Sequence, residues 1–444
     1  MSRLDQRISR RAFVKSAVTA VAVPYFVSAS VLGKGYRQAP SKRLTMGLIG
    51  LGSMGMRHVK GFLQEADCQI VVVCDVDAAR RRDAVREING HYDNADCAAY
   101  NDFRELLARA DIDTLCISVP DHWHASLALA GIRAGKDIYG EKPLALTIAQ
   151  GRAIVDEVDR YNCIWQTGSW QRSTDHFRFA CELVRNERIG PLKRVEVGIG
   201  PGFKSPGVKE TMYRIDPQPV MPVPDGLDYE MWLGPAPSAP YTEKRCHWNF
   251  RWILDYSGGQ VTDWGAHHVD IAHWGMNCDG TGPIEVAGTG VFPTDGLWDA
   301  AVTYDFECKY EGGLIMRVAS NNYCRQGVRF IGETGWVHVT RGGVTTDPPE
   351  LRKTRIGPDE IHLPRPAGDH RQGHRRDFLD CVKTRKTPIT PAEIGHRSAT
   401  VCHLGNIAMI LGRRIRWDPK RERIIDDPAA NRMLDRAMRS PWRI

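Results

Sequence analysis

Lys142, Asp263 and His267 are of the types that take a proton from an alcohol or hold the group that does. Removing hydride from a carbinol carbon requires a base for the hydroxyl proton, and a group whose pKa lies near the working pH serves best. Histidine meets that condition unperturbed, and a lysine beside a cationic ring can have its pKa lowered. Asp263 and His267 stand four residues apart, so on a helix they share one face, with His268 turned about 100° away. The spacing predicts His267 as acid/base, Asp263 orienting it or holding a substrate hydroxyl, and Lys142 bonding the reacting hydroxyl. A packed histidine and a solvated lysine are the plain alternatives. Against the second, Lys142 follows a predicted parallel strand, on the carboxyl edge where such sheets bind ligands. His267, His268, Asp270 and His273 on one helix would point in several directions, so no metal is expected.

A partner for that chemistry is written near the start of the chain. The apolar run Leu44–Ile49 leads straight into Gly50, Gly52 and Gly55, spaced G-x-G-x-x-G ahead of a helical pattern. Gly50 allows the tight turn, Gly52 lets the backbone approach a pyrophosphate, and Gly55 allows close helix packing. Ser53 and Met54 open the helix, whose free N–H groups and positive dipole end favour phosphate. Asp75 ends the next apolar run, 25 residues after Gly50, where its carboxylate can accept ribose hydroxyls and would repel a 2′-phosphate. This predicts NAD as cofactor, with NADP less favoured although Arg80, Arg81 and Arg82 follow closely.

Those residues need a scaffold. From residue 44 to 167 short apolar runs (Leu44–Ile49, Ile70–Cys74, Thr114–Ser118, Asp137–Tyr139, Cys163–Thr167) alternate with amphipathic helical stretches. That rhythm predicts an α/β Rossmann domain with a doubly wound parallel sheet. After residue 190 strand patterns are separated by glycine-rich turns, which predicts a second α+β domain with a largely antiparallel open sheet. The expected organisation is a signal peptide over 1–29, a linker over 30–43, the nucleotide domain over 44–167, a substrate and oligomerisation domain over 168–412 and a charged tail over 413–444. A proline- and tryptophan-rich excursion over residues 200–260 is long enough to be functional. Aromatic rings stack on sugar faces, so its tryptophans, Trp252 among them, suit a carbohydrate.

The segments Ser118-Val119-Pro120-Asp121-His122-Trp123-His124, Gly140-Glu141-Lys142-Pro143 and Gly258 to Asp270, with the glycine motif, together resemble the glucose–fructose oxidoreductase, inositol dehydrogenase and rhizopine catabolism (Gfo/Idh/MocA) family. The resemblance runs from about residue 44 to about residue 412. It implies a Rossmann domain followed by an α/β domain whose sheet mediates dimers or tetramers, and NAD(P)-dependent oxidation of a secondary alcohol on a sugar, glycoside or cyclitol. Lys142, Asp263 and His267 match the family's site positions. Ser118, Pro120, His124 and Glu141 are expected beside the cofactor with Lys142. Trp170, Arg172, Trp252 and His268 are expected at the substrate, Arg172 because the family often has arginine there. Rival readings are a glycosidase of the same fold that uses NAD transiently, a transhydrogenating oxidoreductase that recycles a trapped cofactor, and a non-catalytic sugar-sensing module.

Charge and cysteine usage bound the setting. The net charge is +7, but residues 1–29 hold five basic groups against one acid, and the remainder carries only +3. So small an excess over 400 residues leaves no nucleic-acid footprint. Ser9-Arg10-Arg11-Ala12-Phe13-Val14-Lys15, followed by an uncharged stretch and small residues near Ala29, resembles a twin-arginine export signal. The expected location is therefore periplasmic or extracytoplasmic, with no stable membrane span in the mature chain. Twelve cysteines without a C-x-x-C pair are expected as free thiols, because a chain folded before export folds in a reducing compartment.

Overall fold

Six short strands, β1 (Leu44–Ile49), β2 (Cys68–Cys74), β3 (Ala98–Tyr100), β4 (Thr114–Ile117), β5 (Asp137–Gly140) and β6 (Trp165–Thr167), build the first sheet. The computed structural model describes residues 42–200, 218–368 and 370–444. The expected export signal and residues 30–41 of the linker lie outside the described residues, as do Pro201, Pro206 and Pro217 of the excursion. The strand order is β3-β2-β1-β4-β5-β6, all parallel, with Leu48 opposite both Val73 and Cys116. The order reverses between β1 and β4, so the crevice beyond their carboxyl ends is where a ligand fits. Helices cover both faces, which is why Val72, Val73, Leu115 and Cys116 are fully buried. β3 was not among the expected strands; its three residues, Ala98 to Tyr100, are too few to show a pattern.

The second sheet has nine strands. To β7 (Leu192–Ile199), β8 (Glu285–Val291), β9 (Thr303–Lys309), β10 (Ile315–Ser320), β11 (Gly327–Gly332) and β12 (Trp336–Thr340) it adds β13 (Gly343–Asp347), β14 (Ile415–Asp418) and β15 (Arg423–Ile424). Pairing is antiparallel throughout except β7 with β10. Helices Asp175–Arg185, Gly265–Met276 and Ala392–Leu411 pack on one face through Phe177, Val269, Val401 and Leu404, meeting Phe306 and Phe330 of the sheet. The other face carries charged pairs such as Arg317 with Asp305 and Arg194 with Glu307.

Residues 413–444, expected as a charged tail, are structured. β14 pairs with β8, and Trp417 between its charged neighbours is only 1% exposed. The alternation of Ile415 and Trp417 with charged residues is a strand pattern that the local charge density obscures. Residues 44–444 form one compact unit. All twelve cysteines are free, nine of them buried. Among the described residues no helix is long and apolar enough to cross a membrane.

Candidate active site

One cleft of about 580 Å³ runs from the glycine turn after β1, past the loops after β4 and β5, to the helices that begin at Gly259. Gly50 has φ +89°, and a Cβ there would lie 2.5 Å from the Ser118 carbonyl oxygen. Gly55, in the helix Ser53–Phe62, passes so close to the turn that a Cβ would lie 2.0 Å from the Gly50 carbonyl oxygen. Both positions require glycine, and the helix start is thereby pressed against the strand end. The Leu51 N–H donates to Asp75 Oδ2 at 2.6 Å and the Asp77 N–H donates to Asp75 Oδ1 at 2.9 Å. Asp75 thus braces the turn while facing the cleft with Gly52, Ser53, Met54, Ser118 and Pro120. This cradle, open where side chains would otherwise fill it, fits the pyrophosphate and ribose of a dinucleotide.

At the other end, Lys142 Nζ donates to Asp263 Oδ1 at 2.7 Å and to the Asp263 carbonyl at 2.9 Å, and Arg251 Nε donates to the same carboxylate at 3.2 Å. Burial works against the charge of Asp263, but attraction to and hydrogen bonds from Lys142 and Arg251 outweigh it and hold the carboxyl well below its usual range. Glu141 is fixed by His58, whose Nε2 donates to it at 2.8 Å. Its burial is likewise outweighed, by that hydrogen bond and by attraction to His58 and Lys142, so it stays ionised. His267 lines the cleft with its Nδ1 buried and unpaired. Burial first, and then Arg341, Lys142, His268 and Arg371, push its pKa well below the usual histidine value, so the ring is neutral.

The expectation that Asp263 orients His267 from one helix is corrected. The chain forms two short helices, Gly259–Asp263 and Gly265–Met276, broken at Trp264, where the His267 and His268 N–H groups both turn back to the Trp264 carbonyl. Asp263 bonds Lys142 and Arg251 instead, and the ring neighbours of His267 are Trp170 and Trp264, at 6.2 and 6.3 Å between centroids. Trp170 lines the cleft as expected.

Four other expected residues lie behind the cleft rather than in it. Arg172 is 1% exposed and locked between Asp270 and Asp279 at 2.9 and 2.6 Å, a charge neutralised inside the protein. Trp252, 1% exposed, belongs to the buried cluster that also holds Tyr229, Trp232 and Tyr256. His268 is held between Gln171 and Gln326 at 3.4 and 3.5 Å, its pKa pushed down to about 3 by burial and by Arg341 and His338. His124 faces the carbonyls of Pro143 and Val119 at 2.6 and 3.0 Å and ties together the two loops that carry Lys142 and Pro120.

Other cleft residues went unseen as site residues. Arg341, just after β12, and Arg371, in the first turn of the helix His370–Thr384, both lie against the Trp170 ring, at 4.8 and 4.2 Å. Neither sits in a local motif, so no sequence signal marks them. From the excursion, whose tryptophans were expected at a carbohydrate, Trp248 enters the cleft together with Phe250 and Arg251. Among the described residues no group of three or more His, Cys, Asp or Glu is placed to hold a metal ion.

Two family models match the chain: "Oxidoreductase family, NAD-binding Rossmann fold" over residues 44–169, and "Oxidoreductase family, C-terminal alpha/beta domain" over residues 182–444, which alone is more than half of the chain. The chain belongs to the Gfo/Idh/MocA oxidoreductase family. Residues 44–169 are the NAD-binding Rossmann domain of that family, and the glycine cradle and Asp75 lie within it. A "Glycosyl hydrolase family 109 protein 1" from Shewanella sp. (strain MR-4) is 36% identical over 132 residues, 28% of this chain and 29% of that protein. A family 109 protein from Shewanella pealeana is 29% identical over 181 residues, 36% of this chain and 39% of its own length. The match thus spans well under half of these relatives. Similar solved structures include the WlbA dehydrogenase from Bordetella pertussis in complex with NADH and UDP-GlcNAcA, with TM-score 0.59, 17% identity, and 85% of this chain and 99% of that one covered. Another is the aldose-aldose oxidoreductase from Caulobacter crescentus complexed with glycerol, with TM-score 0.60, 18% identity, and 84% and 99% covered. At these identities the likeness is one of fold.

Proposed function

We propose that this protein exchanges hydride between NAD and a secondary alcohol of a sugar, glycoside or cyclitol. The observation that carries the reading is that the glycine cradle and the Lys142, Asp263 and His267 side chains line one continuous cleft. When bound, NAD supplies the hydride acceptor. Asp263 fixes the Lys142 ammonium, which donates to the reacting oxygen and stabilises the negative charge that grows on it. His267 enters as a neutral imidazole and takes the hydroxyl proton; in the reverse direction it returns it. Trp170, Trp248 and Phe250 offer apolar faces to a pyranose and exclude water from the reacting carbon. In the test, the protein is purified, its bound nucleotide is released and identified, and sugars and aryl glycosides are offered while reduced nicotinamide and free aglycone are followed separately. Substrate-dependent reduction that disappears in His267→Asn, with nucleotide still bound, is the expected result. A protein that neither holds nor responds to NAD overturns the reading.

A second reading is favoured by the 36% identity to a glycosyl hydrolase family 109 protein. In it, oxidation two carbons from the glycosidic carbon would acidify the proton on the carbon between them, β-elimination would expel the aglycone, water would add to the resulting enone, and the hydride would return to the ketone. Aglycone released with no net reduced nicotinamide would select it.

We also propose export by the twin-arginine route, on the strength of Arg10, Arg11, Phe13 and Lys15. Replacing both arginines by lysine should leave the protein in the cytoplasm on fractionation; unchanged export overturns this. Outside the cytoplasm free NAD is scarce, so a retained and recycled cofactor goes with this location.

A further inference from the structure

Five carboxylates line the cleft, and each is already answered. Asp263 has Lys142 and Arg251, Glu141 has His58, Asp77 has Arg80, Asp121 accepts from Ser257 Oγ, and Asp75 accepts the Leu51 and Asp77 amides. The cations do not balance in the same way. Arg57 stands on the helix of the glycine cradle and also faces the cleft. Arg341 and Arg371 have no carboxylate partner among the described residues.

Both are nevertheless held in place. Arg341 lies 4.8 Å from the Trp170 ring centre and 4.2 Å from that of Trp264, and its Nε donates to Gln171 Oε1 at 3.0 Å. Arg371 lies 4.2 Å from Trp170, and its Nε is buried without a partner. Stacking on indole fixes the guanidinium planes but uses none of their N–H groups. Burial and repulsion from Arg371 push Arg341 down to about 10, and burial and repulsion from Arg57 lower Arg371, so attraction to Asp263 and Glu141 does not offset the cost of charging either guanidinium.

We propose that the substrate carries an oxyanion on the sugar, a carboxylate or a sulfate or phosphate ester, bound by Arg341 and Arg371 beside Trp170. The claim rests on the reading of the cleft as a carbohydrate oxidoreductase site. Trp170 is 6.2 Å from His267 between ring centroids, so an anion on the two arginines leaves the rest of a pyranose ring beside the acid/base. Arg341 and Arg371 are two of the cations that oppose protonation of His267. A bound oxyanion offsets them and lets the imidazole accept the hydroxyl proton more readily, so anionic substrates gain in turnover as well as in affinity.

The test uses the full NAD-loaded protein and three probes: a methyl hexuronide, the matching methyl hexoside and its 6-sulfate. Binding is read by calorimetry and turnover by nicotinamide absorbance. Charged hydrogen bonds of this kind make the better of the two anionic probes bind about 30-fold or more tightly than the neutral hexoside, and which of the two wins separates a carboxylate from an ester. Arg341→Gln and Arg371→Gln should each lose about tenfold or more on the anionic probe and less than about threefold on the neutral one, with NAD affinity unchanged. Equal or better binding of the hexoside overturns the proposal, whatever the variants do, while leaving the oxidoreductase reading intact. So does weakening of NAD instead of sugar in the variants, which would return the two arginines to the cofactor phosphates. No binding of either anionic probe likewise overturns the proposal, while the oxidoreductase reading falls only if the protein neither holds nor responds to NAD.

Discussion

Lys142 Nζ lies 2.7 Å from Asp263 Oδ1, and this contact joins the loop after the fifth strand of the nucleotide sheet to the end of a short helix 121 residues later. It places a cation at the carboxyl edge of one sheet and fixes it with an acid belonging to the other half of the chain. Replacing Asp263 by Asn keeps a hydrogen-bond acceptor but removes the countercharge of two cations. Asp263→Asn and Lys142→Met should each lower kcat by about 10²–10⁴-fold, as loss of a positioned proton or charge partner does. Co-purified NAD should remain, so activity falling in step with nucleotide content would show a collapsed cradle instead.

The environment of His267 sets a pH profile. Its pKa is depressed below the ordinary 6.5 by burial and by Arg341, Lys142, His268 and Arg371. A base must be neutral to act, and this one remains neutral as the pH falls through 6.5. The acid limb of kcat/KM should therefore lie well below pH 6.5. Arg341→Gln removes the foremost of the opposing charges, so the limb should move upward toward the ordinary value. A limb near 6.5 that is indifferent to Arg341 would remove His267 from the role of base.

Gly50 and Gly55 leave no room for a Cβ, at 2.5 Å from the Ser118 carbonyl and 2.0 Å from that of Gly50. Gly55→Ala should force the helix Ser53–Phe62 off the strand end and weaken NAD by about tenfold or more, measured by quenching of tryptophan fluorescence. Asp75→Ala removes the acceptor of the Leu51 and Asp77 amides and should cost affinity in the same titration.

How much of this was legible from sequence depended on how far apart the partners stand. The strand, turn, helix and acid around Gly50 and Asp75 span about thirty residues and obey local rules, so cradle and cofactor could be read directly. Lys142 was found for the same reason, as the residue just past a parallel strand. The pairing of Asp263 with His267 failed because the 3.6-residue period assumes one unbroken helix, and Trp264 breaks it. Trp252 and His268 were misplaced because residue type alone does not distinguish a ring that meets substrate from one packed in a core. Arg341 and Arg371 come together on Trp170 from segments about 170 and 200 residues away, and no local pattern encodes that meeting.

Arg172 illustrates the same limit and yields its own test. Its guanidinium is sealed between Asp270 and Asp279. Arg172→Met leaves two carboxylates facing a buried, uncompensated site and should cost about 3–5 kcal/mol of stability, seen as a lowered Tm. The substrate KM of whatever remains folded should be unchanged, because the side chain does not reach the cleft.

The helix His370–Thr384 does more than present Arg371. Phe378, Leu379, Cys381 and Val382 belong to the same buried cluster as Met46, Leu48 and Val73 of the nucleotide sheet and Phe62 of the helix after its first strand. His374 and Thr390 bond the Thr167 carbonyl at the edge strand, and Arg376 bonds Asp67 beside β2. The oldest part of the nascent chain therefore lacks a wall of its core until residue 390 has left the ribosome. Cofactor loading should in consequence wait for the chain up to about residue 390, and a fragment ending near residue 167 should emerge with a bare apolar flank and aggregate instead of binding NAD.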